Sequence, residues 1–158
     1  MKSLKTQTHR KAEKKADYGR LIGVDVGSKR VGLARTDLLR IIANTIGTFS
    51  PEKALEELKR QTVAEGPVSG IVIGWPLTPQ GESTDATDLV RAFIKKVEKI
   101  VPDQDIFTMD ERYSSKQAVQ VMIESGVPKM KRREKGRVDQ AAAAIILTNF
   151  LEANPEYR

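Results

Sequence analysis

The chain has 158 residues, of which 39% are hydrophobic and 30% charged, and a formal net charge of +6. That length and balance fit one soluble globular domain, without an apolar run near the roughly 18 residues of a membrane span or an apolar N-terminal stretch of signal-peptide type, so the cytoplasm is the expected location. With no cysteine and a single histidine, His9, disulfides, thiolate zinc sites, cysteine nucleophiles and paired-histidine chemistry drop out, and a bound metal would need mainly oxygen ligands, as Mg²⁺ or Mn²⁺ prefer.

The positive charge is local. Residues 1–19 carry six Lys/Arg against two Asp/Glu, and residues 128–137, "PKMKRREKGR", carry six against one. The rest of the chain is slightly acidic. A near-neutral body with two basic arms fits a polyanionic partner, most often nucleic acid. Residues 1–19 show no apolar periodicity and are expected to be a basic, flexible extension.

In chain order, strands are expected at 20–26, 30–36 and 41–48, with connections too short for helices, hence an antiparallel meander. Ser50-Pro51 opens a helix as N-cap and first-turn proline; Ala54, Leu55 and Leu58 mark its buried face, and Gly66-Pro67 ends it. "SGIVIGWP" predicts a central strand, apolar on both faces from Ile71 to Ile73. Ala86, Leu89, Val90, Phe93, Ile94, Val97 and Val101 keep helical spacing up to Pro102. "DIFTM" is a short strand. Ser114 and Gln117 form a capping-box pattern before a helix with Ala118, Val121 and Met122 on one face, closed by Gly126 and Pro128. After the basic loop, "RVDQAAAAIILTNFLE" is a final helix. The order βββαβαβαα predicts an α/β domain: a three-stranded antiparallel unit followed by alternating helices and strands.

Three acids fall at the ends of elements. Asp25 lies inside the first apolar run, where an unpaired carboxylate is costly. Asp110 and Glu111 follow the last strand. Asp139 sits in the first turns of the final helix, and Ala142, Ala143 and Ile146 share its face, so this helix should approach the sheet closely with the acid turned inward. Each has an ordinary structural role open to it. Asp25 suits a cap for the turn at Gly27, Asp110 and Glu111 suit pairing with Arg112, and Asp139 suits the dipole of a helix start. In an open α/β sheet, however, sites gather at the carboxyl edge. Three acids there without matching buried bases repel one another unless a cation neutralises them. A Mg²⁺ or Mn²⁺ centre, with two ions as one form of it, suits phosphodiester hydrolysis. Spacing does not choose between Asp110 and Glu111.

Lys129, Lys131, Arg132, Arg133, Lys135 and Arg137 immediately precede the acidic helix, where they would hold phosphates beside the acids. Arg30 is either a phosphate contact near Asp25 or a solvated turn residue. Trp75 is either a base-stacking platform or a packed aromatic.

Four blocks, "GVDVGSKRVGLA" from Gly23 to Ala34, "GWPLTPQGE" from Gly74 to Glu82, "DERYSSKQA" from Asp110 to Ala118 and "DQAAAAIIL" from Asp139 to Leu147, together resemble the YqgF/RuvX family. They occur in the family's order over Arg20 to about Leu151; the "TPQ" of the second block departs from the family's "MDG"-like form. The resemblance implies an RNase H-like fold related to the RuvC Holliday junction resolvases: a mixed five-stranded sheet, with the antiparallel meander joined by parallel strands and flanked by helices. It implies a nuclease domain over 20–152, with 153–158 as a C-terminal tail and the basic extension outside the match. It also implies processing of the 5′ end of 16S ribosomal RNA precursor in the cytoplasm, and makes Asp25, Glu111 and Asp139 the catalytic and metal-binding acids, with Asp110 the alternative to Glu111.

Other functions remain open at this level. A DNA junction resolvase would use the same chemistry and normally a symmetric dimer; both monomer and homodimer are compatible with the sequence. "DVGS" also resembles the phosphate turn of actin-like and sugar-kinase-like ATPases, which enclose a nucleotide between two such domains. A catalytically silent nucleic-acid-binding or ribosome-assembly factor would keep the basic loop and tolerate loss of the acids.

Overall fold

The computed structural model describes residues 18–78, 80–111 and 135–158, with residues 135–140 described by their backbone alone. The helix expected after Ser114 and the basic positions Lys129, Lys131, Arg132 and Arg133 lie outside the described residues.

Apolar alternation produces the first three strands: β1 (Arg20–Val26), β2 (Val31–Thr36) and β3 (Ala43–Phe49). Helix α1 (Pro51–Val63) starts as its cap signal requires, with Lys53 N–H donating to Ser50 Oγ at 3.3 Å. Then follow β4 (Val68–Trp75), α2 (Asp85–Ile100), β5 (Ile106–Asp110) and α3 (Lys135–Ala153). The five strands form one sheet in the order β3-β2-β1-β4-β5. β1, β2 and β3 pair antiparallel, whereas β4 and β5 run parallel to β1. Asp110 is thus the last residue of β5 rather than one beyond it.

The pleat sorts the side chains into two cores. On one face Ile22, Val24, Val31, Leu33, Ile71 and Ile73 pack with Ala54 and Leu58 of α1 and Val90, Phe93 and Val97 of α2. On the other, Leu21, Ala34, Val72, Phe107 and Met109 pack under Ala143, Ile146, Leu147 and Phe150 of α3. Continuous apolar character in β4 reflects this double cover. Leu89, expected on the buried face of α2, is 36% exposed. The buried position is taken instead by Thr87, whose hydroxyl donates to Pro76 O and accepts from Thr84 N–H, so a polar residue turns inward because its hydrogen bonds are met.

The direction of α3 is fixed by Arg40. This buried side chain donates from Nε to Gly19 O (2.9 Å), from Nη1 to Tyr157 O (2.7 Å) and from Nη2 to Ser69 Oγ (2.5 Å). Residues 153–158, read as a tail, include a 3-10 turn over Pro155–Tyr157, and the Tyr157 ring packs 5.2 Å from Phe107 and 5.3 Å from Phe150. The carboxyl end of α3 is therefore held at the amino edge of the sheet, and α3 runs antiparallel to β1. Its amino end points to the carboxyl edge.

α3 also lies deep. A β-carbon at Gly23 would stand 2.5 Å from Ala143 O and 2.6 Å from Leu147 Cγ. Gly23→Ala is expected to push the helix off the sheet and to cost about 1–3 kcal/mol, since a backbone carbonyl cannot swing aside. Urea unfolding of the two proteins measures this; equal midpoints would mean that the helix yields freely.

Candidate active site

Asp25 is the penultimate residue of β1, paired with Gly32 across β2. Leu21 packs under α3 and Gly23 meets its backbone, so Asp25, two residues further, also belongs to the α3 face. The turn after it closes on backbone, with Gly27 N–H donating to Arg30 O at 2.8 Å. Arg30 thus stands at the end of the turn that follows Asp25.

The second acid arrives from the far side of β4. Parallel register pairs Trp75 with Asp110, and Glu111 N–H donates to Trp75 O at 3.2 Å. Phe107 and Met109 lie in the core under α3. Pleat alternation therefore sends Glu111 to that same face and Asp110 to the opposite one. Of the two candidates that spacing left open, Glu111 is the one that meets Asp25, and the two carboxyl groups share a hydrogen bond. Glu111 reaches Asp25 by passing over Gly74, which has no side chain in the way. Gly74 entered the sequence reading only as one letter of a block; an interior strand glycine is itself a sign of close approach.

Burial pushes the Glu111 carboxyl well above its ordinary range, and the negative charge of Asp25, the hydrogen bond to Asp25 and the charge of Asp110 push it the same way. Its Oε2 is buried and receives no hydrogen bond among the described residues. Two carboxyls in this contact hold a proton between them or face a cation.

Asp139 lies in α3, four residues before Ala143, whose carbonyl sits over Gly23. Because α3 runs antiparallel to β1, that step is about 6 Å along the helix axis toward the carboxyl edge where Asp25 stands. Only the backbone is described there, as for Lys135 and Arg137 in the first turn of α3. Among the described residues no three His, Cys, Asp or Glu side chains form a metal-binding group. The described carboxylates supply a pair. The hard oxygens and the buried, unserved Oε2 fit a Mg²⁺ or Mn²⁺ ion rather than a softer metal.

Trp75 packs against the core on the α1/α2 side, and the Arg91 guanidinium lies over its ring at 5.3 Å. This favours the packed aromatic over the base platform.

Residues 19–153 match the RuvX family, described as Holliday junction resolvase. The chain belongs to the RuvX family. Among its relatives, proteins of Salinibacter ruber (43% identical, covering 84% of this chain and 92% of that one) and Chlorobium phaeobacteroides (41%, with the same coverage) are both named "Putative pre-16S rRNA nuclease". In fold, this RuvX-family chain is similar to the fowlpox virus Holliday junction resolvase (TM-score 0.51, 12% identity, 85% of this chain and 98% of that one). It is similar also to Thermus thermophilus RuvC (TM-score 0.50, 15% identity, 84% and 95%). The mixed five-stranded sheet expected from the resemblance is thus the sheet observed. No helix among the described residues is long and apolar enough to cross a membrane.

The raised Glu111 carboxyl has a thermodynamic consequence. In metal-free protein the folded state keeps this proton at pH values where the unfolded chain, near the ordinary 4.5, has released it. The folded state then binds more protons, so its stability falls as pH rises through that window. Glu111→Gln removes the effect. Its melting temperature should exceed that of wild type by a margin that widens from about pH 5 upward and then levels off. Melting curves in chelator test this, and parallel pH profiles would contradict the coupling.

Proposed function

We propose that this protein is a metal-dependent endonuclease that hydrolyses phosphodiester bonds in structured RNA, with 16S ribosomal RNA precursor as substrate. The observation that carries the reading is the contact of Asp25 with Glu111 at the carboxyl edge of the sheet, an acid pair with a desolvated Glu111 carboxyl, whose repulsion calls for a cation. Asp25 and Glu111 are assigned as catalytic acids and metal ligands. Asp139 is the third, brought to the same edge by the direction of α3. When bound, Mg²⁺ or Mn²⁺ would activate water and offset the charge that builds on the phosphate.

The protein's own residues then have distinct tasks. Asp25 and Glu111 present oxygens from two strands held rigidly by β4 between them. The low-polarity surroundings that raise the Glu111 carboxyl also strengthen its attraction for a divalent ion. Arg30, Lys129, Lys131, Arg132, Arg133, Lys135 and Arg137 are assigned to the phosphate backbone, where they position the strand without reading its sequence. Residues 20–152 form the nuclease unit. A cytoplasmic site of action follows from the ribosomal substrate.

RNA is preferred to DNA because relatives near 40% identity carry the pre-16S rRNA name over about nine-tenths of their length, whereas the junction-resolvase structures share the fold alone. The family description keeps a DNA junction as the second reading. Purified protein would be incubated with 5′-extended 16S precursor fragments, single-stranded RNA and four-way DNA junctions, in Mg²⁺, Mn²⁺ or chelator. Cation-dependent cutting of the precursor supports the proposal, cutting confined to junctions gives the second reading, and binding without cutting points to an assembly factor.

Asp25→Asn should lower cleavage at least about 100-fold, roughly 2.7 kcal/mol of barrier. Its metal-free melting temperature should match or exceed wild type, because repulsion at the pair falls. Cleavage at the wild-type rate would remove Asp25 from the site. Mn²⁺ should raise the melting temperature of wild type more than that of Asp139→Asn, as binding to the folded state stabilises by mass action. Equal shifts would remove Asp139 as a ligand.

A further inference from the structure

β4 is a central strand, and an interior glycine weakens a strand by lost packing and added chain entropy. At Gly74 the backbone gives no reason for one, because among the described residues the glycines with positive φ are Gly19, Gly47 and Gly81. The reason lies in space. A β-carbon at Gly74 would fall against Glu111 Oε2, 2.7 Å from Glu111 Cδ and 2.7 Å from Ile146 Cδ1. The isoleucine contact is with one terminal methyl, which Ile146→Val would remove. The Glu111 carboxyl cannot move without leaving Asp25, since it reaches β1 only by crossing β4 at this point. The same diagonal occurs one step down the sheet, where Phe107 of β5 leans over Gly70 of β4 with its Cε2 2.7 Å from where a β-carbon would stand. Phe107 of β5 and Glu111, the residue just after β5, are four apart and thus rest on two glycines of β4 four apart.

We propose that Gly74 is a positioning residue for the acid pair, in that its missing side chain is the channel through which Glu111 crosses β4 to meet Asp25. The inference deepens the proposed function, but its decisive test does not depend on that reading. A methyl at residue 74 lifts the Glu111 carboxyl off Asp25. Gly74→Ala in the full-length protein should therefore lose at least tenfold in precursor cleavage and most of the Mn²⁺-induced rise in melting temperature, while RNA binding measured in chelator stays within about twofold of wild type.

The deciding measurement is a cycle of melting temperatures in chelator. Gly74→Ala should be destabilising next to Glu111, nearly neutral in a Glu111→Ala background, and partly relieved by Glu111→Asp, which is one methylene shorter. Ile146→Val should not relieve it. If Gly74→Ala alone does not fold, the Gly74→Ala/Glu111→Ala protein should. The proposal is overturned if Gly74→Ala costs the same with and without the Glu111 side chain, or if Ile146→Val restores it. A wild-type protein that neither cleaves nor responds to Mn²⁺ would sink the nuclease reading, and the chelator cycle would still decide the role of Gly74.

Discussion

Two carboxyl groups from strands that do not touch are brought into contact across a third strand, and much of the fold follows from this. β1 and β5 are separated by β4, so their backbones stand about 10 Å apart at ordinary strand spacing. Asp25 is short and cannot cover that gap. Glu111 covers most of it, lying flat on β4 where no side chain projects. Parallel pairing of β1, β4 and β5 is equally necessary, because it places all three carboxyl ends on one edge. An antiparallel β5 would carry its acids to the far side of the domain.

Much of this was legible in the sequence. Apolar alternation and the short turns gave β1, β2 and β3 to within about two residues, and Ser50-Pro51 marked the start of α1 correctly because capping is a local interaction. The four blocks pointed to the family to which the chain belongs. What local pattern could not give was lateral. Strand order is set by packing between distant segments, so nothing near Asp110-Glu111 says which acid faces Asp25. The pleat decides it, with Phe107, Met109 and Glu111 in one row. Leu89 and Thr87 show the converse error: hydropathy placed the leucine inside, whereas hydrogen bonds to Pro76 and Thr84 carried the threonine there. Gly74 was visible only as one letter of an apolar strand, and its meaning depended on a side chain 37 positions away.

The two edges of the sheet are built from opposite materials. At the amino edge, Arg40 adopts a left-handed backbone conformation (φ 56°), rare for a residue with a side chain, and its guanidinium gathers Gly19, Ser69 and Tyr157. There a buried cation donates to three neutral acceptors and ties distant parts of the chain together. At the carboxyl edge, two carboxyl groups face each other and Glu111 Oε2 receives no hydrogen bond among the described residues. Bonding that secures the direction of α3 is thus concentrated away from the acid pair.

Trp75 is the chain's single tryptophan. Its carbonyl accepts from Glu111, its strand neighbour is Gly74, and its indole lies beneath the Arg91 guanidinium. The protein therefore carries one intrinsic fluorophore, built into the strand over which the acids meet. Its emission belongs to a single environment rather than an average of several, and any shift of β4 at this edge registers as a change in colour or intensity without an attached label.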